Sequence, residues 1–393
     1  MNGSNAALQS PSPATALSIE LVKDLAGLEQ LKAAWIDLET RCAAAPSVFQ
    51  SFDWCFQWAK SYASPSAVDP VELHILLGYQ AAKLVFILPL IRRHNQGVKL
   101  LCWLTDPHGQ YGDILCDKDE DAADWMKSAL EFCTNEGKAD IIYLRHVRVN
   151  ANLSDFAQSQ MTDAQLNEQA PYLDLSAFKT NADYDDRYTS TQKKRRKKIR
   201  KALEDLGPVN FKTLDQPNAI DQAIATSISE KNAWLKERGR YNRVMGCPNH
   251  VEFLQSLARL ENHPLELVVT ELSAGDTPAS WDINFRYRGT NYCYITSHVN
   301  ALSDLSPGRL HMDQSQRASL SAGMHTFDLM VPNDKHKDSW CSGKINVNDY
   351  YYPLNAKGRL FGAAYLSWLR PLLRKAYYNL PQKALLAIQP LVR

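Results

Sequence analysis

Residues 305–340 read LSPGRLHMDQSQRASLSAGMHTFDLMVPNDKHKDSW. Ser306 suits a helix N-cap, Pro307 suits the first helical position with its fixed φ and missing N–H, and Gly308 lets a bulky ligand approach the backbone. Amides left free at such a start attract phosphate. The helix runs to Gly323, which ends it as a C′ residue. Met324 to Met330 then reads as a buried strand carrying Asp328, and His336, Lys337 and Trp340 follow on a loop. A phosphate-binding helix start joined to a strand with an acid is a layout for chemistry.

Working outward, three strands precede this segment, Leu265 to Leu272, Ala279 to Arg288 and Asn291 to Ser297. Turns at Gly275-Asp276 and Arg288-Gly289-Thr290 make them a meander. Before the meander come a basic helix from Thr191, a strand at Val209 to Leu214, and helices at Ala219 to Arg238 and His250 to Leu260. The first half shows a similar alternation. Leu17 to Val22 reads as a strand, and Leu25 to Arg41 as a helix with Leu28, Leu31, Trp35 and Leu38 on one face. Strands follow at Glu72 to Tyr79, Leu84 to Arg92, Lys99 to Leu104 and Tyr111 to Cys116, then a helix near Asp121 to Asn135 and strands at Asp140 to Val147 and Tyr172 to Leu175. The rings of Phe49, Phe52, Trp54, Phe56 and Trp58 are too dense for a solvent loop and read as core, with a ligand wall as the alternative. This is a mixed α/β pattern, and 393 residues at roughly 150 per domain give two domains. No repeat is visible in residue identities. The polar stretch Lys179 to Asp186 marks the boundary.

Charge is unevenly placed. Lys and Arg total 44 against 43 Asp and Glu, yet residues 193–201 alone hold eight of the basic ones, and everything after Asp349 holds seven with no acid. An acidic body therefore carries two basic patches. A polyanion is expected against the helix Lys193 to Lys201: anionic lipid headgroups, a diphosphate-linked sugar, an acyl carrier protein or nucleic acid. Nucleic acid is disfavoured because no aromatic rings interleave with the charges. Residues 353–393 read as an amphipathic basic tail, either an interfacial helix at an anionic membrane surface or a helix docked on the domain. Eight cysteines, Cys42, Cys55, Cys102, Cys116, Cys133, Cys247, Cys293 and Cys341, are scattered without a CxxC pair and point to a reducing cytoplasmic setting. Residues 1–16 have neither a charged nor an apolar signal region and read as a disordered leader. The longest apolar run, Leu84 to Ile91, is too short to span a bilayer. There is no HExxH, GxSxG, P-loop or GxGxxG, and no Cys/His cluster for zinc, so no metal is expected. Asp117-Lys-Asp119 matches a DxD metal motif only superficially, since acids opening a helix are far commoner.

A meander, a crossover helix with a phosphate-friendly start and a further strand is the element order of the acyl-CoA half of a GNAT acyltransferase. Ser306-Pro307-Gly308, the helix to Gly323, Phe327-Asp328-Leu329, and Lys337 with Trp340 resemble the C-terminal signature of the CelD/BcsL family of acetyltransferases. Phe49-Gln-Ser-Phe-Asp-Trp54 and the basic helix are similar to that family as well. The resemblance covers most of Leu17 to Tyr352 and implies a FemABX-like architecture, two tandem GNAT-like domains with mixed central sheets flanked by helices, at 17–178 and 179–352. In place of the glycine-rich CoA signature of ordinary GNAT enzymes stands Leu305 to Arg309, with one glycine.

The implied reaction is direct attack of an amine or hydroxyl on an acyl-CoA thioester, acetyl-CoA or another, in a ternary complex, acylating a sugar or related acceptor, free or lipid-linked, in envelope or exopolysaccharide biosynthesis. The pantetheine arm would lie between Asn291 to Ser297 and Met324 to Leu329, with the pyrophosphate on Ser306, Pro307, Gly308 and Arg309. Asp328 is expected to take the acceptor's proton, with His298 as the second candidate. Lys337 would neutralise developing oxyanion or phosphate charge. Each has a plainer reading: Asp328 a turn cap, Lys337 a solvated loop residue, and His298, His311, His325 and His336 surface or satisfied histidines. The expected location is cytoplasmic, peripheral to the inner membrane. Two alternatives stay open: a catalytically silent GNAT-like binding or scaffold protein, and a FemABX-like aminoacyl transferase that uses aminoacyl-tRNA.

Overall fold

The computed structural model describes residues 18–63, 71–95, 97–165 and 167–388. The expected leader, residues 1–16, lies outside the described residues. The first half comprises β1 (Ile19–Val22), α1 (Leu25–Gln30), α2 (Lys32–Arg41), α3 (Phe52–Tyr62), β2 (Glu72–Gln80), β3 (Lys83–Asn95), β4 (Val98–Trp103), β5 (Leu115–Cys116), α4 (Ala122–Glu136), β6 (Ile141–Arg148), α5 (Ser154–Gln160), β7 (Thr162–Asp163) and β8 (Glu168–Asp174). Then come α6 (Asn181–Asp186), α7 (Ser190–Glu204), β9 (Val209–Thr213), α8 (Pro217–Glu237), α9 (His250–Ala258), β10 (Glu266–Ala274), β11 (Thr277–Tyr287) and β12 (Thr290–His298). The chain continues with α10 (Pro307–Ser321), β13 (Thr326–Asp328), β14 (Gly343–Pro353), α11 (Ala356–Phe361), a π-helical stretch (Gly362–Leu369), α12 (Arg370–Asn379) and α13 (Gln382–Ile388).

All strands join one mixed sheet in the order β1-β2-β3-β4-β6-β14-β8-β13-β12-β11-β10-β9, with β5 on β3 and β7 on β14. Two neighbouring pairs are parallel, β4 with β6 and β12 with β13. Each closes the same motif: an antiparallel meander, a crossover helix, then a parallel strand. In the first half that is β2-β3-β4, α4, β6; in the second it is β10-β11-β12, α10, β13. The duplication that residue identities hide is therefore present in the topology. β2 and β3 are buried on both faces, as expected of strands covered by helices on each side. Alternate residues go to different cores. Leu73, Ile75, Leu77, Ile87 and Ile91 meet α1 to α3, while Leu76, Phe86, Leu88 and Leu90 meet α4. Gly78 is required there, because a Cβ would lie 2.4 Å from the Trp125 ring. Phe49, Phe52, Trp54 and Trp58 are all buried, which is the core reading of that aromatic run.

Several elements differ from the sequence expectation. The Leu25 to Arg41 helix is broken at Leu31, whose ψ of −9° ends α1 before α2 starts. Tyr111 to Ile114 does not pair as a strand. The buried Asp113 carboxylate instead accepts the N–H groups of Ile114, Asn152 and Leu153 at 2.8–2.9 Å, which ties the segment to the start of α5. The polar stretch at 179–186 is a short helix with a Thr180/Asp183 capping box. β13 keeps only three residues of the expected strand. β14 is an eleven-residue strand that the sequence reading leaves out. It inserts between β6 and β8, so a segment assigned to the second half completes the first half's side of the sheet.

The C-terminal segment docks. A Cβ on Gly358 would meet Asp140 O at 1.8 Å, and Leu366 and Leu385 are buried. Its outer face nevertheless leaves Leu360, Trp368, Leu372 and Leu373 in solvent. Among the described residues no helix is long and apolar enough to cross a membrane. All eight cysteines are free thiols.

Candidate functional site

The site is built where β12 and β13 part. They pair only at Thr290 with Thr326, Asn291 with Phe327 and Tyr292 with Asp328. β12 then continues to His298, while the other chain turns away after Asp328. That turn is fixed in place: Asp328 Oδ1 accepts the Met330 N–H at 2.7 Å, Leu329 N–H donates to Pro171 O, and Met330 adopts a left-handed φ of 61°. On its other edge β12 carries a bulge against β11, with Ile283 opposite Ile295 and Asn284 opposite Cys293, so Tyr294 has no partner residue. A bulge re-aims main-chain groups locally, and here it lies just beyond the point where β13 leaves.

The helix start lies at the far end of the gap. Ser306 occupies the N-cap position, but with φ 56° and ψ 46° and without a side-chain cap bond, which corrects the expectation of a Ser306 side-chain cap. Pro307 has no N–H, and the Arg309 N–H is turned back onto Ser306 O at 3.1 Å. The donors left at this helix start are the Gly308 amide and the Arg309 guanidinium. Gly308 is not demanded by packing, since a Cβ there would meet only His298 Nδ1 at 4.0 Å. The space above it is open to a ligand. Arg309 is crowded by like charge: partial burial, then Arg195 and Arg196 of α7, push its pKa down. Arg196 is held in this position, with Nε 3.2 Å from Asp313 Oδ1 and Cζ 3.2 Å from the centre of the Tyr188 ring. The basic helix thus brings positive charge to the α10 start, where oxygen-rich anions would be held by a helix N-terminus and guanidinium groups together.

Two lysines flank the gap. Lys337 Nζ donates to Met330 O and Pro332 O, both at 2.8 Å, so it is tied to the turn and is no freely solvated loop residue. Lys231 of α8 donates to Thr296 O at 3.0 Å. Burial lowers the pKa of both, and Lys231 lowers that of Lys337 further. A lysine with two N–H groups on carbonyls keeps one site free: a third N–H when protonated, a lone pair when neutral. Cys293 lies between them on β12, and burial raises its thiol well above the usual range, so it is held as a neutral thiol.

Asp328 is buried at the seam of the two halves. Its Oδ1 accepts the Tyr111 hydroxyl at 2.7 Å and its Oδ2 accepts Arg148 Nη1 at 3.1 Å. Arg148 also lies over the Tyr111 ring at 4.8 Å. A pocket of about 60 Å³ adjoins them, lined by Ser47, Gln50, Tyr111, Arg148 and Tyr292 among others. With three donors on its two oxygens, this carboxylate is an anchor more than a free base. His298 lies elsewhere. Six residues of β12 separate it from Tyr292, the partner of Asp328, and at ~3.3 Å each that is about 20 Å. The two candidates for the proton acceptor therefore do not meet at one reacting carbonyl. His298 hydrogen-bonds Ser303 Oγ at 3.1 Å, and burial lowers its pKa. His311 is fully buried between Thr270 and Ser280 hydroxyls, both at 2.8 Å, a satisfied core histidine. Asp117, of the DxD-like run, is ion-paired with Arg41 and with Lys83 at 3.2 Å. Trp340 is buried in the core beside α7.

Residues 190–338 match the acetyltransferase (GNAT) domain family, from the basic helix to just past Lys337. Most of the chain is similar in fold to two solved structures. FemX is 10% identical with a TM-score of 0.56, over 85% of this chain and 98% of that one. The C-terminal domain of a putative lysylphosphatidylglycerol synthetase from Agrobacterium fabrum is 9% identical with a TM-score of 0.52, over 86% and 95%. No curated protein matches by sequence. Residues 190–338 are thus similar to a GNAT acetyltransferase domain, and the fold is FemX-like, with two GNAT-like units.

Tyr111, Arg148 and Lys231 are the residues the sequence reading missed, whereas Arg196 lies in the basic helix it singled out. Arg148 had a signal, a third basic side chain in the otherwise apolar strand Ile141–Arg148, where an unpaired charge would be costly. Lys231 had none, being a single cation on a mixed polar helix.

Proposed function

We propose that the chain is an acyltransferase of the CelD/BcsL type, moving an acetyl or other acyl group from acyl-CoA to an amine or hydroxyl of a sugar or related acceptor during envelope polysaccharide assembly. The observation that carries this is the parting of β12 and β13 directly ahead of the α10 start, with Arg309, Arg195 and Arg196 gathered there. An extended thioester arm fits along the freed edge of β12, and its phosphates fit at Gly308 and Arg309. The units are 17–178 and 179–352, with β14 crossing between them and 353–393 as a docked basic segment.

In this reading Lys337 supplies a third N–H to the oxygen on which charge develops, and Lys231 adds to the local positive field. Asp328 acts as a positioning residue that holds Met330, and through it the Lys337 turn, against Tyr111 and Arg148. His298, beside Gly308, serves the donor phosphates and not the carbonyl. The acceptor approaches from the first half's side, where Tyr111 and Tyr292 line the small pocket.

Isothermal titration with CoA and thiol release from acetyl-CoA, screened over amino sugars and amines, test this. CoA binding that survives unchanged in Arg309→Ala would sink the donor assignment. A second reading rests on α7, whose Lys194, Arg195, Lys197, Lys198 and Lys201 are exposed: an aminoacyl transferase that holds aminoacyl-tRNA there. Steeply salt-dependent tRNA binding without CoA binding would favour it.

A further inference from the structure

The pocket beside Tyr292, of about 60 Å³, has room for two water-sized groups at roughly 30 Å³ each, so it takes the tip of a molecule and not a ring. Arg148 and Asp113 are the charged side chains that line it, and Arg148 is already paired with Asp328 at 3.1 Å. Asp113 has its own donors. Its Oδ1 accepts the N–H groups of Ile114 and Leu153, and its Oδ2 accepts the backbone and side-chain N–H groups of Asn152, all at 2.8–3.1 Å. The pocket thus sets one guanidinium against two carboxylates. An incoming carboxylate or phosphate finds no unpaired cation here and is repelled by both acids. An ammonium has no lone pair to offer Arg148.

Two atoms of the lining suit a neutral group instead. Arg148 Nε is buried and, among the described residues, has no acceptor, which is costly for a guanidinium N–H. Ser47 Oγ gives its proton to Gln50 Oε1 at 2.5 Å, and Gln50 is itself fixed by donating from Nε2 to Tyr111 O at 2.9 Å. With its proton committed, the Ser47 hydroxyl offers lone pairs. A ligand hydroxyl answers both atoms, accepting from Arg148 Nε and donating to Ser47 Oγ. The pocket also adjoins the gap. Tyr292 is at once its wall and the last residue of β12 paired with β13, and the bulge at Tyr294 is two residues on, about 7 Å at ~3.3 Å each. One sugar ring with its substituents reaches across that span.

We propose that this pocket sets acceptor specificity by taking an uncharged hydroxymethyl group, held by Arg148 Nε and Ser47 Oγ, while the group to be acylated lies toward the β12–β13 gap. That the acceptor is a sugar rests on the acyl-transfer reading; the pocket adds which sugars, those ending in a primary alcohol and not uronic acids or sugar phosphates.

The test is saturation-transfer NMR of the full chain with methyl glucosides, galactosides and mannosides whose terminal carbon is a hydroxymethyl, a methyl, a carboxylate or a phosphorylated hydroxymethyl group. CoA binding is followed separately by calorimetry, and neither measurement needs turnover. The methyl forms are expected to bind at least about tenfold more weakly than the hydroxymethyl forms, because they leave a buried N–H without an acceptor. Carboxylates and phosphates should not compete. Ser47→Ala, and Arg148→Lys, which keeps a cation beside Asp328, should each bring the hydroxymethyl forms down to the level of the methyl forms, with CoA binding as in the wild type. Circular dichroism establishes that each variant is folded, and Ser47→Ala carries the test if Arg148→Lys is not. The proposal is overturned if uronic acids or sugar phosphates bind as well as the hydroxymethyl sugars, if the methyl forms bind equally, or if Ser47→Ala keeps the tenfold difference. It is also overturned if no sugar binds, whether or not CoA does. Sugar binding with the expected preference but without CoA binding would support the pocket and sink the donor assignment instead.

Discussion

Glu39 ties α2 to β11 across the two halves, and its protonation should set how stability responds to pH. Its Oε1 accepts the Phe52 N–H at 2.7 Å and its Oε2 accepts the Tyr287 hydroxyl at 2.7 Å, with Arg288 3.9 Å away. Burial pushes the carboxyl from 4.5 up to about 7, against the lowering effect of those partners. An acid whose pKa is raised on folding holds its proton more tightly in the folded state. Its contribution is fully present below the unfolded pKa near 4.5 and is lost as pH rises through about 7. Between pH 5 and pH 8 that loss amounts to roughly 2.5 kcal/mol. Glu39→Gln removes the titrating group while keeping the shape. Urea unfolding followed by tryptophan fluorescence at both pH values should show the wild type losing about 2.5 kcal/mol more than the variant. Taking the difference between the two proteins cancels other titrating groups, including Asp113, which burial raises to about 6. An identical fall in both proteins would refute the argument.

Three further outcomes follow from particular contacts. Asp328→Asn strips the buried Arg148 of its anion and should cost about 3–5 kcal/mol in urea unfolding, whereas Tyr111→Phe should cost only about 1 kcal/mol. Gly358→Ala places a methyl 1.8 Å from Asp140 O, so α11 should lift away, with a loss of roughly 1–3 kcal/mol and faster proteolysis after Asn355. If Lys337 acts as a cation, transferase activity should fall with rising pH below the 10.5 of an ordinary lysine, because burial and Lys231 lower its pKa. Lys337→Arg should move that fall to higher pH, while Lys337→Met should abolish it along with most of the rate.

The meander, the crossover helix and the parallel strand of the second half were legible because each has local punctuation: Gly275 and Gly289 with positive φ at the turns, Pro307 at a helix start and Gly323 with φ 74° at its end. β14 was not legible. Its Ile345 and Val347 alternate with polar residues, but Tyr350, Tyr351 and Tyr352 run together, and that aromatic run does not show which sheet edge it enters. In the candidate site, the α10 start around Pro307 and Gly308 could be read because a helix start is a local feature. The seam of Asp328, Tyr111 and Arg148 could not, since its members stand 217 and 180 residues apart. A side-chain cap at Ser306 was expected from residue type alone; the left-handed backbone there turns the hydroxyl away from the role.

The position of β14 has a consequence for how this chain comes off the ribosome. β6 is flanked by β4 on one side and by residues 343–353 on the other. Until that stretch has been synthesised, the earlier strands fold with β6 as a bare edge, whose unpaired amides and carbonyls invite pairing with another nascent chain. Truncations ending near residue 178 should therefore aggregate, and adding β14 in trans as a peptide should rescue their solubility. The seam strand makes the order of synthesis part of the fold: the first unit waits for the last described strand before its sheet is closed.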